Sequence, residues 1–178
     1  MPTNFTTYIH FGLCMLVCMS SCEKNRETNL QRANFSCRIL SKSNTDHEIG
    51  MLSSIDIYFV NDLRGDQDVA SLQANCFRKA TIEKSSISEF FKRLSTMLKD
   101  HCEINSTNIC RESIHVILIG NQQDVLGQFE LRRSNTYINK GFLKNSASVR
   151  EIQSWAQLIS MLDDMTSTPT TGKRPHAP

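Results

Sequence analysis

Apolar positions recur with a helical period in several stretches of the chain. From Asp46, a residue suited to cap a helix start, Ile49, Leu52, Ile55, Phe59 and Leu63 fall three and four residues apart and share one face. Glu48 suits the positive end of that helix dipole, and Gly65 follows the last periodic residue as a stop. A second run, Val69, Leu72, Cys76 and Ala80, follows the capping residues Asp66 and Asp68. The third is the cleanest. Ser86-Ile87-Ser88-Glu89 has the form of a capping box, and Ile87, Phe90, Phe91, Leu94, Met97 and Leu98 make the stripe behind it. A last helix is predicted after the box Ser148-Val149-Arg150-Glu151. There Val149, Ile152, Trp155, Ala156, Ile159 and Leu162 face inward, with Arg150, Ser154, Gln157 and Met161 on the opposite side.

Two stretches break this pattern. Residues 22–45 are polar with no sustained period, and 113–132 is ambiguous. Ile114 to Ile119 is a continuous apolar run that suits a buried strand or a short buried helix, and Gly120-Asn121 punctuates it. Val125, Phe129 and Leu131 then share one parity while Gln128, Glu130 and Arg132 take the other, as in a strand. A hairpin here makes the fold α+β; otherwise the pattern predicts an all-α bundle.

Charge and cysteine content bear on the compartment. The 178 residues carry 20 Lys and Arg against 18 Asp and Glu, too balanced for a dedicated nucleic-acid protein. None of these charges falls in residues 1–21, where Tyr8 to Met19 is apolar and Ser20-Ser21 follows. Such a run is too short to span a bilayer of ~30 Å and suits a signal peptide, although its start lacks the usual Lys or Arg. Acylation at Cys22 fits less well, because Met19 stands where an aliphatic residue is expected. The expectation is a secreted, extracellular protein with a signal peptide at 1–21, a folded domain at 22–165 and a disordered Thr/Pro-rich tail at 166–178. In an oxidising compartment Cys37, Cys76, Cys102 and Cys110 would form two disulfides, with three pairings open. Asn34-Phe35-Ser36 and Asn105-Ser106-Thr107 are glycosylation sequons.

Chemistry is sparse. No GxSxG, HExxH or Gly-rich phosphate loop occurs, the five His residues are scattered, and the cysteine spacing matches no zinc pattern. The expectation is a non-enzyme with no metal and no cofactor. Arg64-Gly65-Asp66 spells an integrin-binding tripeptide, but Gly65 as a helix stop and Asp66 as the next cap explain it completely, and that is the reading favoured.

Short stretches resemble the short-chain four-helix-bundle cytokines, in particular the interleukin-2, interleukin-15 and interleukin-21 group. Val60-Asn61-Asp62-Leu63 and Cys76-Phe77-Arg78-Lys79-Ala80 look like parts of interleukin-21. Ile114-His115-Val116-Ile117-Leu118 looks like a third helix entering its crossover, and Trp155-Ala156-Gln157-Leu158-Ile159 looks like the final helix. The resemblance implies an all-α, disulfide-stapled bundle with room for a short β pair in the crossover loop. It implies a monomer that assembles cell-surface cytokine receptor chains, without nucleic acid and without membrane insertion once the signal is removed. Asp56 and Asp62 would meet one receptor chain; Gln157, with Arg150 and Met161 beside it, would meet another.

Overall fold

The computed structural model describes residues 28–41, 45–61, 68–99, 109–135, 137, 139–145 and 149–166. They build an α+β fold around one antiparallel sheet. In chain order the elements are helix α1 (28–40), α2 (Thr45–Gly50), β1 (Leu52–Asn61), α3 (Val69–Asn75) and β2 (Cys76–Glu83). A 3-10 turn (Lys84–Ser86) then leads to α4 (Ile87–Met97) and β3 (Leu98–Lys99). After these come β4 (Ile109–Gly120), β5 (Val125–Ser134), β6 (Gly141–Lys144), β7 (Val149–Ile152) and α5 (Trp155–Thr166). The seven strands lie in the order β2-β1-β4-β5-β6-β7-β3. Thus α4 carries the chain from one edge of the sheet to the other.

The four-helix bundle is therefore overturned. Of the helix predicted from Asp46, only α2 forms, and the chain then extends as β1. The spacing of Leu52, Ile55 and Phe59 fits a helix, but Ile57, Tyr58 and Val60 are also buried, which one helical stripe cannot explain. A strand between two covered faces can. Ile55, Ile57 and Phe59 face the main core, while Tyr58 and Val60 face a second cluster with Leu72 and Ile117. The second periodic run likewise divides, with α3 ending at Asn75 and β2 starting at Cys76. Asp68 does cap α3, accepting from Ser71 N–H at 2.7 Å. Of the four stretches resembling interleukins, the described part of the first and all of the second and third lie on strands; the last is in α5.

The ambiguous stretch is a hairpin. β4 and β5 pair from Ile109↔Ser134 to Ile119↔Val125, with a register shift between Ile109 and Ser113, closed by a turn in which Gly120 N–H donates to Asp124 O and Gln123 takes φ 63°. The helix expected from Ser148 also changes. Residues 149–152 form β7, and α5 starts only at Trp155, its first N–H groups taken by Asn139 Oδ1 and Ser154 Oγ.

α1 carries no sustained apolar period because two of its sheet-facing side chains, Arg32 and Ser36, are polar. β6 pairs with β5 only from Glu130 to Arg133, so the flank of β5 nearer its start lacks a neighbouring strand there. Side chains of α1 bind that flank: Arg32 Nε donates to Val125 O at 3.2 Å. The buried Ser36 hydroxyl accepts from Gln128 N–H at 2.8 Å and lies 2.9 Å from Gln128 O. Phe35 and Ile39 enter the core beside it. Contact is this close because Gly127 has no side chain; a Cβ there would stand 2.5 Å from Ser36 Oγ and 3.3 Å from Arg32 O.

Gly127→Ala is expected to destabilise the fold by about 1–3 kcal/mol, the usual range for overpacking. In a double-mutant cycle measured by urea denaturation, Ser36→Ala should reduce that cost, because it removes the atom nearest the new methyl.

Candidate functional site

One cleft, of about 290 Å³, opens on the helix side of the sheet. Its walls are the last turn of α1, then α2, α4, β3 and one residue of β7. Ile39, Leu40, Ile49, Phe91, Leu94 and Leu98 give an apolar lining; Ser41, Ser88 and Ser95 are polar, and Asp46, Lys92 and Arg150 are charged.

Arg150 is the unusual member. Strand alternation places it on the same side as Ile152, and it stands opposite Leu143; both of these are core residues. A cation therefore occupies an inner-face position beside core residues, as Arg78 of β2 does opposite Phe59, and Arg150 is the one that lines the cleft. Its Nη1 donates to Leu40 O at 3.2 Å, at the C-terminal end of α1, where helices leave carbonyls without intrahelical partners. The negative end of the helix dipole favours a cation there. The guanidinium is thus positioned at the wall of the cleft by the helix end it satisfies. Lys92 adds a second positive charge and makes no ion pair with any other described residue; Asp46 opposes them with one negative charge.

The other face of the sheet carries a polar row. Lys79, Tyr58, His115, Glu130 and Lys144 stand directly opposite one another across β2, β1, β4, β5 and β6. Ser113 and His115 are buried, and the Ser113 hydroxyl lies 3.2 Å from His115 Nε2. Glu130 Oε1 approaches that same nitrogen at 3.5 Å. Arg132 Nε stands 2.6 Å from Glu130 Oε1 as an ion pair, at an angle that is not that of a hydrogen bond. In composition this matches a nucleophile, base and orienting acid. In geometry it does not: a relay needs serine and carboxylate on different ring nitrogens. Here they converge on one, and Arg132 engages the carboxylate. The cluster reads as a buried polar pairing that holds β4 to β5.

Of the residues expected to meet receptors, Asp56 lies on β1 with a largely buried carboxylate. It pairs with Lys79 Nζ at 2.8 Å, accepts from Thr81 Oγ1 at 2.9 Å and from Tyr58 OH at 3.2 Å. This network holds the Lys79 ammonium above its ordinary pKa, chiefly through the bond to Asp56. Gln157 is exposed on α5, whereas Met161 is fully buried in the core and Arg150 lines the cleft on β7. The expected common face of Arg150, Gln157 and Met161 is not formed, because the strand-to-helix change at 153–154 separates Arg150 from α5 and Met161 belongs to its inward stripe. Cys37 and Cys76, expected in disulfides, are free thiols.

Asn34 is exposed on α1. The signal segment, Asp62, the Arg64-Gly65-Asp66 tripeptide, Cys102, Asn105, the side chain of Cys110 and the tail beyond Thr166 lie outside the described residues. Among the described residues no three His, Cys, Asp or Glu side chains are grouped to hold a metal ion, and no helix is long and apolar enough to cross a membrane. Neither the cleft nor the polar row was readable from local spacing, since both require strand register across the sheet.

Burial holds the His115 pKa below its ordinary value of 6.5; Glu130 works against that shift and Arg132 with it. As pH falls below that value, the unfolded chain takes up a proton that the folded protein resists, so folding stability should decline. Urea midpoints compared above and below pH 6.5 test this. His115→Gln should flatten the decline, and an identical pH dependence in both proteins would refute the assignment. Comparison with protein-family models gave no match, and comparison with curated proteins and with solved structures gave none either.

Proposed function

We propose that this protein is a secreted, non-catalytic binding module whose cleft receives a small amphipathic anion, such as a short- or medium-chain carboxylate. The observation that carries this reading is Arg150 on the inner face of the sheet, at the wall of a cleft whose lining is divided between apolar side chains and polar or charged ones. Ligand sites commonly combine an apolar lining with a few fixed polar groups. With Lys92 and Arg150 against Asp46, the balance at the cleft is positive and favours an anionic head group. Sites where a local folding rule is broken are where function is expected, and a charge at an inward strand position is such a break. The uncharged apolar start of the chain and its sequons support secretion. The convergence of Ser113 and Glu130 on one nitrogen of His115 argues against a serine-histidine-carboxylate relay at that cluster.

Isothermal titration with hexanoate and decanoate tests the proposal, with decyltrimethylammonium as an apolar chain of opposite charge. The carboxylates should bind and the cation should not. Arg150→Leu should weaken carboxylate binding at least tenfold, a loss of about 1.4 kcal/mol, while the thermal unfolding curve confirms that the variant is folded. No binding by the wild type, or equal binding by the variant, would overturn it.

A further inference from the structure

We propose that two copies of the chain pair through the outer edges of β2, doubling the sheet across a two-fold axis. β2 is the terminal strand of the sheet, and no other described strand pairs its outer side. From Arg78 to Glu83 its register with β1 is unbroken, and the segment contains neither Pro nor Gly; the bulge lies earlier, between Phe59 and Val60. Such edges are templates for another strand unless charge, proline or irregularity blunts them.

The cations that would blunt this edge are compensated within their own chain. Arg78 pairs with Asp163 at 2.7 Å and Lys79 with Asp56 at 2.8 Å. Glu83 is exposed and has no ion partner among the described residues. Charge then selects both the occupant and the register. Two identical antiparallel strands related by a two-fold axis through the sheet place one central residue opposite its own copy. Centring on Lys79 would set like charges face to face, and centring on Ala80 brings no opposite charges together. Centring on Thr81 sets Lys79 of each copy opposite Glu83 of the other and pairs Ala80 with Ile82 on the inner side. Cross-strand ion pairs and apolar pairs of this kind stabilise a sheet, whereas like charges directly opposite destabilise it. Lys84 would next face Arg78, but it has turned out of the strand into the 3-10 turn, with Nζ 3.1 Å from Asn121 Oδ1. Self-complementarity of this strand is what points to a second copy rather than to an unrelated chain.

Analytical ultracentrifugation of the full chain across the micromolar range should show a species of twice the monomer mass. Glu83→Lys, an exposed change that sets like charges opposite each other, should raise the dissociation constant at least tenfold. Glu89→Lys, the same charge change on the exposed side of α4, should leave it unchanged. Register is tested separately: Thr81→Cys should give a disulfide between copies at that position, located by peptide mapping, and Ala80→Cys should not. A monomer throughout the range, a dimer indifferent to Glu83→Lys, or failure of the Thr81→Cys bridge would each overturn the proposal. None of these readouts involves the cleft, so they stand or fall independently of ligand binding.

Discussion

The seating of α1 on the open flank of β5 is the constraint on which the rest of the architecture depends. A short β6 leaves the start of β5 without a neighbouring strand, and backbone groups there must be satisfied if they are to be buried. Arg32 and Ser36 supply the partners, and Gly127 supplies the space. Once α1 is held there, Phe35 and Ile39 complete the core and the helix end at Leu40 falls within reach of Arg150. The cleft is a consequence of that placement, since its first wall is the final turn of α1.

The sequence was legible where one face alone is buried. α4 shows its stripe plainly, and the strand parity of Val125, Phe129 and Leu131 survives in β5. It was misleading where both faces are covered. In β1, residues chosen at helical spacing are true core residues, yet those passed over, Ile57, Tyr58 and Val60, are buried as well. Capping motifs were uneven guides. Asp68 caps α3, but Ser86 makes no side-chain cap bond, and Ser154 with Asn139 caps the helix assigned to Ser148. For the site, the local pattern marks Arg150 only as a solvent-facing helix residue. Its placement on the inner face follows from its pairing with Leu143, a contact between strands that no local period encodes.

The two faces of the sheet use polar residues in opposite ways. On the face beside α3, charges close on one another: Lys79 with Asp56, Arg132 with Glu130. Asp56, Glu130 and Arg132 are largely buried, so removing the partner of any of them leaves a charge uncompensated, which is why these pairs hold the fold. On the helix side, Arg150 lines an open volume while its guanidinium bonds the C-terminal end of α1. This difference in setting, more than the number of charges, separates the candidate site from the scaffold.

Ser36 also completes the Asn34-Phe35-Ser36 sequon, so any glycosylation at Asn34 would have to precede a folding step. In the folded protein its hydroxyl is fully enclosed between α1 and β5, although Asn34 itself is exposed. A glycosylating enzyme that must read the hydroxyl and the asparagine together meets an accessible substrate only before the helix docks. Sugar at Asn34 would therefore record the interval between emergence of this segment and closure of the sheet. Slow docking would raise site occupancy and fast docking would lower it, so any glycan there would be a clock for a folding step.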